Sequence, residues 1–78
     1  MNTVRMELVT QRNKLKLNHN QVAEKAGISR AYYSNIEAGR KDPSFKVMKR
    51  IADALNSTVD ALFFKYIVPK RNEKKEVI

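Results

Sequence analysis

An all-α domain of five helices with a short C-terminal tail is the fold class the sequence predicts, and three observations predict it. Apolar residues recur at helical spacing in five separate stretches. Residues that cap or break helices bound each stretch, and no obligatory strand pattern lies between them. The length of 78 residues allows one domain. A chain of this size buries roughly 60–65% of the surface its unfolded form exposes, so the core is small and a second copy is a natural source of added stability.

The first helix is expected from about Arg5 to Leu15, where Leu8, Arg12 and Leu15 share one face and Val9 lies beside them. Asn18 then starts a second helix over His19 to about Ala26: its side chain can accept from the Gln21 amide while Gln21 reaches back to the Asn18 amide. Val22, Ala23 and Ala26 form the inner face, and Gly27 supplies the left-handed residue that ends the helix. Ser29 caps a third helix from Arg30 to about Ala38, with Tyr33 and Ile36 three apart, and Gly39 closes it. Two short helices joined around a glycine are the sequence form of a helix-turn-helix.

Arg40-Lys41-Asp42-Pro43 is a polar connection that no helix continues through. Ser44 caps the fourth helix, whose expected inner positions are Phe45, Met48, Ile51, Ala52 and Leu55, and the outer Lys46, Lys49 and Arg50 give it a positive side. Asn56 suits a left-handed C-terminal position, and Thr58 caps a fifth helix that turns Val59, Leu62 and Phe63 inward. From Phe64 the pattern alternates, which permits a short extended segment through Val68. The expected division is a helix-turn-helix domain at 1–64 and a basic tail at 65–78, whose first residues help join two copies.

Charge narrows the class of partner. Sixteen Lys and Arg against eight Asp and Glu leave a net charge of +8, which points to a polyanion, nucleic acid before an anionic membrane surface. The absence of cysteine excludes disulfides, thiolate metal sites and cysteine nucleophiles. No run of about eighteen apolar residues is present, and the amino terminus lacks a basic-then-apolar signal segment. The expectation is a cytoplasmic chain on the bacterial nucleoid, or a phage-encoded one, that neither spans a membrane nor leaves by that export route.

The stretch NQVAEKAGISRAYYSNIEAGRKDPSFKVMKRIADALNSTVDALF resembles the helix-turn-helix domain of phage repressors, Cro-like proteins and related bacterial regulators of the XRE type. The likeness runs from about Leu8 to Phe63 and rests on joint spacing: Arg12, Ala23, Gly27, Ser29, Ile36-Glu37, Gly39, Pro43-Ser44, Ile51-Ala52, Leu55 and Leu62. It implies a lambda-repressor-like fold whose third helix enters the major groove of double-stranded DNA. Carried to matching positions, the base contacts are Arg30, Ala31 and Asn35. The family often pairs the positions of Arg12 and Glu37 in a partly buried salt bridge. Three departures stand out: His19 replaces the glutamine that commonly meets the DNA backbone, Lys16 replaces a frequent glycine, and Ser57 replaces an apolar residue.

Side-chain chemistry agrees with that carry-over. An arginine fork at Arg30 can donate to guanine O6 and N7, the Asn35 amide can pair with adenine N6 and N7, and Ala31 can pack on a thymine methyl or simply carry no contact. Tyr32 projects toward the groove wall, whereas Tyr33 is expected to pack inward and lead its hydroxyl to the rim. His19, Arg40 and Lys41 suit phosphate contacts, which set register without reading sequence. The plain alternative for each is a solvated helix or loop side chain.

A twofold dimer reads two half-sites about 34 Å apart, so a homodimeric repressor on a near-palindromic operator is expected. Its contact surface is expected at Leu62, Phe64, Tyr66, Ile67 and Val68, a tract richer in aromatic and branched residues than the last helix needs. A restriction-modification controller and a toxin-associated autoregulator are alternatives, and a helical protein-binding adaptor is an alternative of another class. An enzyme is not expected: Asp42, Asp53, Asp60 and His19 show no catalytic spacing, no metal cluster and no phosphate-cradling glycine loop. Neither a cofactor nor a small-molecule effector is anticipated.

Overall fold

Capping side chains set the boundaries of the elements. The computed structural model describes residues 3–64, which form α1 (Met6–Lys14), α2 (His19–Ala26), α3 (Arg30–Glu37), α4 (Phe45–Ala54) and α5 (Val59–Phe63). At α2 the Gln21 amide donates to Asn18 Oδ1 and the Asn18 amide donates to Gln21 Oε1, both at 2.8 Å, so two otherwise orphaned donors are satisfied together. The hydroxyls of Ser29, Ser44 and Thr58 accept from the amides of Tyr32, Val47 and Ala61. Each such cap stabilises its helix by about 1 kcal/mol.

Left-handed residues end or follow the helices. Gly27 has φ +72° at the end of α2, while Lys16 and Asn56, with φ 58° and 53°, take the same conformation after α1 and α4 despite carrying a Cβ. Gly39 is required twice over, since its φ is +82° and a Cβ there would lie 2.1 Å from the carbonyl oxygen of Thr3. The N-terminal segment therefore lies directly on the turn that follows α3.

Helix α2 packs against both α3 and α4, α1 lies on α3 and α5, and α5 closes against α4. Leu8, Val22, Tyr33, Ile36, Ile51 and Leu55 are fully buried where these elements meet. Burial of one such aliphatic or aromatic side chain stabilises the fold by about 1.5–3 kcal/mol. Among the described residues no helix is long and apolar enough to cross a membrane.

Two expectations are corrected. Phe45, placed inward by periodicity, is 67% exposed. It is the first residue of α4, and the buried Pro43 occupies the inner position just ahead of it, so the first turn overhangs the core. Leu62, expected at a contact between copies, is only 5% exposed, because it is spent on the core of its own protomer. Phe64 is half-buried beyond α5, and Tyr66, Ile67 and Val68 lie outside the described residues.

Candidate nucleic-acid interface

The α2–turn–α3 unit presents one face of α3 and fixes the other. Tyr33, Ile36 and Glu37 are buried, whereas Arg30 and Ala31, on the first turn of α3, are exposed. The Ser29 cap holds that first turn, and the tight turn at Gly27 and Ile28 brings it close against α2. Arg30 also borders a shallow open cleft with Arg12, Asn18, His19 and Asn20.

Further along α3, Asn35 is half-buried and its Oδ1 accepts from Arg40 Nε at 2.8 Å. The Asn35 carbonyl also accepts from the amides of Arg40 and Lys41, at 2.9 and 3.3 Å. The residue thus shapes the turn that carries two exposed cations, yet keeps its amide NH2 and a second Oδ1 lone pair for another partner. Tyr32 is half-buried and packs partly on the core.

Beneath α3 lies a buried polar cluster centred on Glu37. Its carboxylate accepts from Arg12 Nε at 2.8 Å and Nη2 at 3.2 Å, from the Tyr33 hydroxyl at 3.0 Å, and bonds His19 Nε2 at 2.7 Å. Burial alone pushes the Glu37 carboxyl up, but the bonds from Arg12, His19 and Tyr33 outweigh it and hold the group below the usual carboxylate range. The Tyr33 phenol is pushed well above its ordinary range by burial and then by the Glu37 charge, so it stays a donor. Bonding to Glu37 holds the Arg12 guanidinium above its ordinary value.

Tyr33 corrects a further expectation, for its hydroxyl turns inward to Glu37 instead of reaching the rim. A phenol at i and a carboxylate at i+4 meet on one helix face, and the buried charge needs every donor within reach. His19 likewise directs Nε2 inward, and its ring meets Tyr33 edge-on with centroids 5.8 Å apart.

Arg5 is a positioning residue that sequence reasoning missed. Its amide donates to the Glu37 carbonyl at 2.9 Å, and Nη1 donates to the carbonyls of Ile36 and Lys41. Nη2 pairs with Asp42 Oδ1 at 2.8 Å, and the guanidinium carbon lies 5.9 Å from the centre of the Phe63 ring. One side chain therefore ties the end of α3, the cationic turn and α5 together. Its partners are mostly backbone carbonyls, which leave no trace in side-chain periodicity.

The helix-turn-helix family model HTH_3 matches residues 8–62. An immunity repressor protein of Bacillus phage phi105 is 38% identical over 60 residues, 77% of this chain and 42% of that protein. An uncharacterized HTH-type transcriptional regulator of Mycobacterium tuberculosis is 31% identical over 68 residues, 87% of this chain and 49% of that protein. The chain thus spans about half the length of the curated relatives it matches. Among solved structures, the restriction-modification controller protein C.AhdI from Aeromonas hydrophila superposes with a TM-score of 0.71 at 26% identity, covering 74% of this chain and 88% of that one. The clp gene regulator ClgR from C. glutamicum gives 0.68 at 26% identity, with 74% and 75% covered.

Proposed function

The chain belongs to the HTH_3 helix-turn-helix family of XRE/Cro-like transcriptional regulators, and from that premise we propose that it is a sequence-specific repressor acting as a homodimer on a near-palindromic operator. The five helices of the described residues take the lambda-repressor-like arrangement. The observation that carries the reading is the uneven burial of α3: Arg30 and Ala31 stand exposed on its first turn while Tyr33, Ile36 and Glu37 lock the rest of the helix into the protein. A rigid rod with a free first turn suits the major groove.

In this reading Arg30 donates to a guanine edge, Asn35 offers its amide to adenine, and Ala31 lies close enough for a thymine methyl. Tyr32 meets the groove wall. Arg40, Lys41 and His19 contact phosphates, with Arg5 and Asn35 holding the turn that carries the first two. The net charge of +8 supplies a salt-sensitive attraction shared by all duplexes. Control of transcription then follows from occupancy of a promoter by a chain acting on the bacterial nucleoid. Likeness to the phage phi105 immunity repressor supports a repressor. A restriction-modification controller is the second reading, favoured by a superposition that covers 88% of C.AhdI.

Selection from random duplexes followed by titration of matched and scrambled sites at two salt concentrations tests the assignment. Arg30→Ala should lose about 1–3 kcal/mol of discrimination on the matched site, and Lys41→Ala should weaken both sites alike and lower the salt slope by about 1. Equal losses on both duplexes for Arg30→Ala overturn its base-reading role.

A further inference from the structure

Arg40 follows Gly39, whose φ of +82° turns the chain back toward the last turn of α3. Backbone bonds pin it there from two sides. The amides of Arg40 and Lys41 donate to the Asn35 carbonyl at 2.9 and 3.3 Å, and the Lys41 carbonyl accepts from Arg5 Nη1 at 3.0 Å. From that fixed point Arg40 Nε donates to Asn35 Oδ1 at 2.8 Å. The two terminal nitrogens of Arg40 have no partner among the described residues, and neither has Asn35 Nδ2.

The two ends of an asparagine amide have nearly one shape and opposite chemistry, since Oδ1 only accepts and Nδ2 only donates. Turned over, the Asn35 amide would set its NH2 against a guanidinium N–H, donor against donor. The Arg40 bond therefore selects one orientation, and because its donor is charged it is stronger than a bond between neutral groups. Adenine presents an N6 donor beside an N7 acceptor in the major groove, so an amide pairs with both only when its oxygen and nitrogen lie the right way round. Oδ1 keeps a second lone pair for N6, and Nδ2 is left for N7.

We propose that Arg40 is a specificity-setting positioning residue: its Nε fixes the orientation of the Asn35 amide while its free fork bonds a phosphate. One side chain thus joins a backbone contact to a base contact. The inference rests on the reading that Asn35 meets a base edge when α3 docks in the major groove. Two properties of Arg40, its charge and its Nε–H, become separable by substitution. Lysine keeps the charge but carries a methylene where arginine has Nε, and an ammonium that bends back to Oδ1 leaves the phosphate.

A duplex selected from random sequence by the native chain is rebuilt as a panel in which each base pair is changed in turn. Binding of the native chain, Arg40→Lys, Asn35→Ala and the double variant is measured by fluorescence anisotropy at two salt concentrations. Asn35→Ala is expected to lower the preference at one position of the recognised sequence by about fivefold or more, the discrimination of a bidentate amide. Arg40→Lys is expected to lower it at that same position by about threefold or more, to leave the position read by Arg30 within about twofold, and to keep the salt slope. The double variant should lose no more there than Asn35→Ala alone, since both substitutions act on one contact. Arg40 is exposed, so its replacement should leave the far-UV circular dichroism native. An unchanged preference profile for Arg40→Lys, an even loss on every duplex, or additive losses in the double variant overturn the proposal and leave base reading by Asn35 standing. An unchanged profile for Asn35→Ala overturns that reading and the proposal with it. A native chain with no preference among duplexes overturns the sequence-reading function itself.

Discussion

Glu37 shows what one buried charge demands of its neighbours. With 7% of its side chain exposed, it draws a guanidinium from α1, an imidazole from α2 and a phenol one turn back on α3. Removing one member of such a buried pair costs about 3–5 kcal/mol, because the other is left without compensation. Glu37→Gln keeps the shape and removes the charge, so chemical denaturation at pH 7 should show a loss of about 2–4 kcal/mol. The pH dependence has a definite sign. The folded-state pKa of Glu37 lies below the ordinary carboxylate value, so its contribution is present above that ordinary value and fades as pH falls through the folded pKa. The gap between native and variant should therefore narrow on acidification, and a constant gap would show that the charge is not the stabilising feature. Arg12 and Glu37 were marked in the sequence because they interrupt inward faces and match a family pairing. The roles of His19 and Tyr33 in the same cluster were not, since nothing in their spacing says that four side chains from three helices converge on one carboxylate.

At the scale of the element, caps and turn residues were the most legible part of the chain. The Asn18–Gln21 box, the Ser29, Ser44 and Thr58 caps and the left-handed Gly27 and Asn56 all stand where local chemistry placed them. Lys16 is instructive because the backbone after α1 needs φ 58° and the sequence supplies a residue with a Cβ. Lys16→Gly should raise stability by about 0.5–1 kcal/mol, the relief of left-handed strain less the added chain entropy of glycine. A higher denaturant midpoint with an unchanged m-value checks it. Phe45 marks the limit of periodicity: helical phase says which side of α4 it shares with the buried Ala52, and not how far the neighbouring helices extend to cover the first turn.

At the scale of the molecule, the proposed reading asks an exposed α3 face of two short turns to recognise a few base pairs, and a twofold pair of such faces would span half-sites about 34 Å apart. The proposed dimer predicts a light-scattering mass of twice the chain at micromolar concentration, falling to that of one chain for a Phe64→Ser, Ile67→Ser double variant. A native chain that scatters as a monomer removes the basis for a palindromic operator. Leu62 has no part in that test, since its burial within the protomer already accounts for it.

The number of helices, their order, their caps and the basic character of the chain were determined by the sequence alone, because each depends on residues within a turn or two of one another. The tertiary structure decided everything that depends on distance in space across long separation in sequence: which helix ends the core covers, the inward turn of Tyr33, the convergence on Glu37 and the reach of Arg5 to carbonyls more than thirty residues away. Local chemistry sets the direction of a helix face, but only packing decides what that face meets.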